Sequence, residues 1–315
     1  MKNLKDVIIL LGPTSVGKTR VSIKIARALK TEIISADSMQ IYKGMDIGTA
    51  KPYREELLIV RHHMIDIVEP SERYSVGRFV EEVVPVIEHL LSNRKIPLIV
   101  GGTGLYIKAL TRGLFSAPEA DEELRRELKR QEQQAPGSLY KKLMELDPEK
   151  ARELNPRDLR RIIRALEVIF KAEHPISDLQ KELTSPLPYN FTKIGLTRNR
   201  KELYRMIELR VEEMFRQGLV EEVKRLLEKT PSETPLQAIG YKEVVEYLEG
   251  KKSLEETIHL IKRATRRYAK RQFTWFRKEP GIQWVDITGI HDTDEIFNKV
   301  LKETSLKRFI SNEPL

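Results

Sequence analysis

Short Ile- and Val-rich runs punctuate the first third of the chain, at Val7–Leu11, Glu32–Ser35, His63–Val68 and Pro97–Val100. Runs of this length and β-branched content read as buried strands. Apolar residues at helical spacing fill the intervals, over Thr19–Leu29 and Val76–Ser92. Strands that alternate with helices predict an α/β fold with a mostly parallel, doubly wound sheet flanked by helices. The pattern changes at Ser116. "APEADEELRRELKRQEQQ", "GSLYKKLMELDPEKARELN" and "NPRDLRRIIRALEVIFKAE" are charged and helical, with Pro136-Gly137, Asp147-Pro148 and Asn155-Pro156 as punctuation. The next strand pattern is "FTKIGLTRN", with Lys193–Leu196 as its apolar centre. Residues 116–191 therefore read as an inserted all-helical domain, and residues 1–115 with 192–315 as the α/β core and its C-terminal helices. Those helices are predicted over Lys201–Gln217, Val220–Lys229, Lys242–Leu248 and Leu254–Phe276, and "IQWVDITG" reads as an edge strand. No internal repeat or low-complexity segment interrupts this order.

Composition narrows the picture slightly. The 315 residues suffice for one large domain or two, and the absence of cysteine excludes disulfides and thiolate–metal sites. No apolar run approaches the ~18 residues of a membrane span. The lysine-flanked apolar stretch at the N-terminus is too short for a signal segment and runs straight into a loop motif. The expectation is a cytoplasmic monomer with no membrane partner. The net charge of +9 says less than its distribution does.

"GPTSVGKT", Gly12–Thr19, has the P-loop spacing G-x-x-x-x-G-K-[ST], and a strand and a helix pattern flank it. The backbone amides of Gly12, Pro13, Thr14, Ser15, Val16 and Gly17 (Pro13 lacking an N–H) would wrap phosphate at a helix N-terminus. Lys18 would add a point charge, and the Thr19 hydroxyl is placed to ligate Mg²⁺. This nucleotide-binding type of loop reports two or more phosphoryl groups and a metal; it does not report ATP. The second strand runs into "SADSMQ". In a right-handed crossover its C-terminal end shares an edge with the P-loop, so Asp37 should lie near the cradle. A general base, a metal-linked acid and a turn-capping aspartate all fit that position. "GGTG" offers close backbone approach and the Thr103 hydroxyl at the same edge. No apolar strand ends directly in a second phosphate-site aspartate, although Asp66 is a candidate, and no lid of paired arginines is evident. Diphosphate displacement is favoured over phosphoryl transfer.

Two stretches are strongly basic. Arg157, Arg160, Arg161 and Arg164 recur at helical spacing along one face. In "LIKRATRRYAKRQFTWFRK", Lys262, Arg263, Arg266, Arg267, Lys270 and Arg271 form a stripe with no acid between Lys262 and Lys278. Tyr268, Phe273, Trp275 and Phe276 interleave with it and read as core. Unrelieved like charge disfavours a helix, so a polyanionic partner is the simpler explanation. A small anion site beside an extended one suits an enzyme that moves a group from a diphosphate onto RNA.

These residues bring a family into view. GPTSVGKT, ISADSMQIYKGMDIGTAKP, HHMID, VGGTGLYIKAL, NPRDLRRIIRALEV, QAIGYKE and YAKRQFTWFR together resemble the tRNA dimethylallyltransferase (tRNA isopentenyltransferase) family, from residue 12 to residue 277. Ser15-Val16 departs from the frequent Ala-Ser at loop positions where the backbone does the work. The resemblance implies transfer of a dimethylallyl group from dimethylallyl diphosphate to the exocyclic amine of the adenosine 3′ of the anticodon, with Mg²⁺ as cofactor. It implies that Gly12–Thr19 hold the diphosphate, that Asp37 is the general base, and that Thr103 and Arg210 act near the reacting centre. By the same resemblance the tRNA anticodon stem-loop would meet Ser38, Met39 and Gln40, Arg125 or Arg126 of the insertion, and Gln237, Gly240, Tyr241 and Lys242. The stripe Arg266, Arg267, Lys270, Arg271 and Gln272 would face it too. A P-loop kinase of a small metabolite or nucleoside is the alternative; it accounts for the cradle but not for the stripe or the insertion. An RNA-binding ATPase accounts for the stripe but not for an acid at the shared edge.

Overall fold

The computed structural model describes residues 4–115 and 117–310. Ser116, the expected first residue of the insertion, lies outside the described residues. The chain begins with β1 (Lys5–Leu11), α1 (Lys18–Ala28), β2 (Ile33–Ala36), α2 (Arg54–Ile59), β3 (His62–His63), α3 (Val76–Ser92), β4 (Leu98–Gly101) and α4 (Gly104–Arg112). Five helices follow: α5 (Glu122–Gln134), α6 (Ser138–Leu146), α7 (Pro148–Glu153), α8 (Leu159–Ala172) and α9 (Ile176–Leu183). The sheet resumes with β5 (Tyr189–Thr197), then α10 (Arg200–Arg216), α11 (Leu219–Glu228), α12 (Glu233–Leu236), α13 (Tyr241–Leu248), α14 (Leu254–Phe276), β6 (Ile282–Asp286), α15 (Thr293–Glu303) and α16 (Lys307–Ile310).

Among the described residues all six strands are parallel, in the order β3-β2-β4-β1-β5-β6. β1 is interior and Val7–Leu11 are fully buried, as an all-apolar run in a sheet covered on both faces must be. Register decides where the chemistry can sit. Gly101 pairs with both Leu11 and Ala36, and Leu11 also pairs with Gly195. The residues that follow, Gly12, Asp37 and Gly102, therefore emerge side by side at the carboxyl edge of the sheet.

The third predicted strand is mostly not one. Only His62 and His63 pair with β2, because Met64 (φ 64°) and Asp66 (φ 55°) are left-handed and end the extension. The rest of "HHMID" turns back on the loop after β2, where the amide of Asp66 donates to the Gln40 carbonyl (3.2 Å).

Two compact units result: one of residues up to Lys108 and from Pro188 on, the other Ala109–Leu187. The divide thus falls earlier at both ends than the composition shift suggests. Phe115 packs in the core of the helical unit with Leu128, Leu143, Ile162 and Leu166, and β5 starts at Tyr189. Inside the helical unit the carboxylate of Glu167 is fully buried. It accepts from Arg125 Nε and Nη2 (2.9 Å each), from the Asp121 amide (2.6 Å) and from Arg164. Burial alone would raise its pKa; the Arg125 and Arg164 guanidinium groups and the Asp121 amide together hold it below the usual range.

Candidate active site

The loop after β1 has a path that few sequences allow. Gly12 has φ 153°, and a Cβ there would lie 2.7 Å from the Leu196 carbonyl oxygen of β5. Ser15 is left-handed (φ 62°), which turns the loop toward α1. The first turn of α1 carries no acid, so its positive end stays uncompensated. Arg198 is buried behind the loop and donates from Nε to the Val16 carbonyl (3.1 Å) and from Nη1 to the Ile287 carbonyl (2.8 Å).

Lys18 folds over the loop and donates from Nζ to the carbonyls of Gly12 (2.9 Å) and Pro13 (2.8 Å). Burial pulls its pKa down to about 8, against the raising effect of Asp37 and with a further lowering by Arg210. Arg210 of α10 donates from Nη1 to Thr14 Oγ1 (3.1 Å) and Ser15 Oγ (3.4 Å). Its pKa too is lowered by burial, with Asp37 opposing, and its Nε is buried with no hydrogen-bond partner among the described residues. Two cations and one carboxylate thus face the inside of the loop. That balance leaves a positive surplus for an anion.

Asp37 follows β2. Its Oδ1 accepts from the amides of Met39 (2.9 Å) and Gln40 (3.4 Å), so it caps the turn it starts. The cap and a chemical role are compatible, since one carboxylate oxygen fixes the group and the other is left for a substrate. Thr103 lies across from it, where its Oγ1 accepts from the Ser38 amide (3.1 Å). Tyr268 of α14 hydrogen bonds with Thr103 and Gln272, and burial beside Asp37 raises its pKa above the usual phenol range.

The segment from Gln40 to Lys51 is held from three sides. Gln40 spends its amide on Ser35 Oγ (3.2 Å) and the carbonyls of Thr49 (3.3 Å) and Ala50 (3.2 Å). Lys51, with a side chain only 4% exposed, donates to the Tyr42 carbonyl (2.7 Å), to Asp46 (2.7 Å) and to Asp66. Asp66, itself exposed, therefore serves as a counter-ion to the buried Lys51 and not as a second phosphate-site acid. Glu222 of α11, 3% exposed, accepts from the amides of Asp46 (2.9 Å), Ile47 (2.8 Å) and Gly48 (3.0 Å) and from Tyr241 Oη (2.6 Å). A Cβ on Gly48 would lie 2.4 Å from the Tyr241 ring. "DIGTAKP" and "QAIGYKE", nearly 200 residues apart in sequence, are thus one packed structure.

Several residues expected to face tRNA are engaged elsewhere. Gly240 and Tyr241 are buried; the Tyr241 hydroxyl serves Glu222. Gln272 is buried between two loops, accepting from the Thr14 amide (2.9 Å) and donating to the Gly102 carbonyl (2.9 Å). Arg266 pairs with Glu208 (2.5 Å), an acid of α10 that no inspection of the stripe itself could reveal. Arg125 and Arg164 serve Glu167. Arg157 precedes α8 and does not share its face. Exposed side chains remain at Gln237, Lys242, Arg267, Lys270 and Arg271, and in the helical unit at Arg126, Arg157, Arg160 and Arg161. Ser38 and Met39 are half-buried. Sequence reasoning passed over Lys51, Arg198 and Glu222. Glu222 did leave a signal, an acid on the apolar face of α11 between Leu219, Val223 and Leu226. Lys51 and Arg198 left none.

Comparison with known proteins meets this geometry. A family model described as IPP transferase matches residues 40–279, and one described as isopentenyl transferase matches residues 5–69. The chain is 55% identical over 308 residues to the tRNA dimethylallyltransferase of Thermodesulfovibrio yellowstonii, covering 96% of this chain and 98% of the relative. This chain belongs to the tRNA dimethylallyltransferase family. The family's enzyme from Thermotoga neapolitana is 47% identical over 300 residues, covering 95% and 97% of the two chains. Among solved structures, the tRNA isopentenylpyrophosphate transferase of Bacillus halodurans aligns with a TM-score of 0.70 at 41% identity, over 98% of each chain. A eukaryotic dimethylallyltransferase acting on tRNA aligns at 0.78 and 31% identity, over 99% of this chain and 81% of the other. The kinase alternative is not favoured by any of these. No helix among the described residues is long and apolar enough to cross a membrane.

Proposed function

We propose that this tRNA dimethylallyltransferase moves the dimethylallyl group of dimethylallyl diphosphate onto the exocyclic amine of the adenosine 3′-adjacent to the anticodon. The new bond joins the amine nitrogen to the allylic carbon, while the carbon–oxygen bond to diphosphate breaks and its electron pair leaves with the diphosphate. An adenine amine is a weak nucleophile because its lone pair is delocalised into the ring. The burden therefore falls on stabilising the leaving group and on accepting the amine proton. Lys18, Arg210 and the loop amides supply fixed positive charge for the diphosphate. The Asp37 oxygen that is not engaged in the turn accepts the proton. The adenine must leave its stack to come within reach, at a cost of a few kcal/mol.

The residues also fit a magnesium ion. Thr19 is the second residue of α1, beside the loop, and among the described residues no group of three or more His, Asp or Glu could hold a metal ion by itself. Such a donor set suits Mg²⁺, which keeps much of its water and relies on phosphate oxygens with one or two protein groups. Thr19 would hold it, and when bound it would neutralise charge on the departing diphosphate.

The reading is carried by one observation: the common register of β1, β2 and β4, from which the P-loop, Asp37 and Thr103 all leave at one edge. The expected outcome is that labelled dimethylallyl diphosphate plus tRNA yields labelled tRNA with ATP untouched, and that nucleoside mass spectrometry finds the added group on adenosine. Asp37→Asn keeps the cap acceptor but loses the base, so kcat should fall by about 10²–10⁴ while tRNA affinity stays within about twofold. ATP hydrolysis without label on the RNA would overturn the assignment.

A further inference from the structure

Gln272 reaches the P-loop from α14, 258 residues away in sequence. Its Oε1 accepts from the amide of Thr14 at 2.9 Å, and its Nε2 donates to the Gly102 carbonyl at 2.9 Å. The side chain is 6% exposed. The amide packs directly on Gly102, which only a glycine permits: a Cβ there would be 2.4 Å from Nε2. The same helix packs Trp275 on the next turn, 2.4 Å from where a Cβ of Gly104 would be. α14 thus approaches this loop closely at two successive glycine positions.

This arrangement removes one donor from the cradle. P-loops hold polyphosphate chiefly through their backbone N–H groups and the lysine, and a longer phosphate chain calls on more of those groups. Pro13 has no N–H to offer. Thr14 is the first residue of the loop after it that has one, and this N–H is already taken by a buried carbonyl oxygen. An incoming phosphate would have to break two buried hydrogen bonds to win it, or leave the Gln272 oxygen facing phosphate oxygens. The donors at the helix end, from Val16 onward, are not engaged in this way.

We propose that Gln272 is a specificity-determining residue that shortens the P-loop into a diphosphate site and disfavours a triphosphate. Resting on the proposed donor, it accounts for a loop of nucleotide-binding type that selects dimethylallyl diphosphate in the presence of ATP. It also reassigns Gln272 from the tRNA-facing stripe to the donor site.

The test uses inorganic pyrophosphate and tripolyphosphate as probes, titrated calorimetrically into the full chain with Mg²⁺. The wild type should bind pyrophosphate more tightly. Gln272→Ala frees both the amide and the space, and the ratio of tripolyphosphate to pyrophosphate Kd should fall at least about tenfold. Gln272→Met frees the amide but keeps the bulk, so its ratio should lie between the two; it also answers the question if the alanine variant does not fold. ATP should become a better competitor of dimethylallyl diphosphate in the alanine variant, with tRNA affinity unchanged. An unchanged ratio in folded variants, or a loss of tRNA binding at constant ratio, overturns the proposal. Label transfer by the wild type separates the two hypotheses: its absence would sink the function, whereas label transfer with an unchanged ratio sinks only the role of Gln272.

Discussion

Lys18 must be charged to serve an anion, in surroundings that penalise the charge. Burial lowers its pKa to about 8, whereas the unfolded chain keeps the proton to about 10.5. Between those values the unfolded state holds more protons, so this group adds stability as pH rises through that window; below it the cost of burying the charge is present in full. Donor binding runs the other way, because a neutral lysine offers the diphosphate no charge. The KM for dimethylallyl diphosphate should therefore climb above pH 8, approaching about tenfold per unit once the neutral form dominates. Lys18→Arg retains charge throughout and should remove the break. A break that survives in that variant would assign it to another group. The P-loop spacing announced Lys18, but its lowered pKa comes from burial and from Arg210, against the opposing pull of Asp37, and the sequence alone does not bring these groups together.

At the scale of elements, local signals worked where an end is chemically marked. α3 and α14 run over the predicted residues because Ser75 and Ser253 cap them, their hydroxyls accepting from the Arg78 and Glu256 amides (3.1 Å each). "HHMID" misled because its apolar content serves a turn held by Gln40, Ile41 and Lys51, not a sheet. Glu222 shows what such a turn costs to keep. Its carboxylate satisfies three amides and a phenol in a dry place. Glu222→Leu should destabilise the protein by about 3 kcal/mol or more, since unpaired buried donors cost about 1–3 kcal/mol each. Glu222→Gln, with one acceptor oxygen left, should cost about half of that. Urea unfolding at constant m-value measures both; a loss under about 1 kcal/mol for the leucine variant would show that the turn does not depend on α11.

At the scale of the molecule, the +9 charge is distributed more selectively than the stripe on α14 suggests. α10 lies alongside and neutralises part of it, through Lys262–Glu212 and Arg266–Glu208 (2.5 Å each). Arg267, Lys270 and Arg271 stay exposed on the same helix. Each phosphate contact adds about 0.7–0.9 to the slope of log K against log salt. Arg267→Gln and Arg271→Gln should each lower the slope for tRNA binding by roughly that amount. Arg266→Gln should leave it unaltered, its charge being already matched. Equal effects at all three positions would mean that the α10 acids do not shield the stripe. In the helical unit the same sorting separates Arg126, Arg160 and Arg161, which are exposed, from Arg125 and Arg164, which hold Glu167.

The sequence by itself determined the α/β class, the helical insertion, the phosphate loop and the candidate role of Asp37. Each of these is written in short range, as periodicity, as a motif of eight residues or as an acid at the end of a strand. Tertiary structure alone decided which polar residues are spent inside. Lys51 and Gln272 look like ordinary surface residues, and Glu222 shows only as an acid on an apolar helix face, until burial and a partner distant in sequence are known. The physical reason is desolvation: a buried charge or amide must find partners, and no local pattern records which distant backbone groups will supply them.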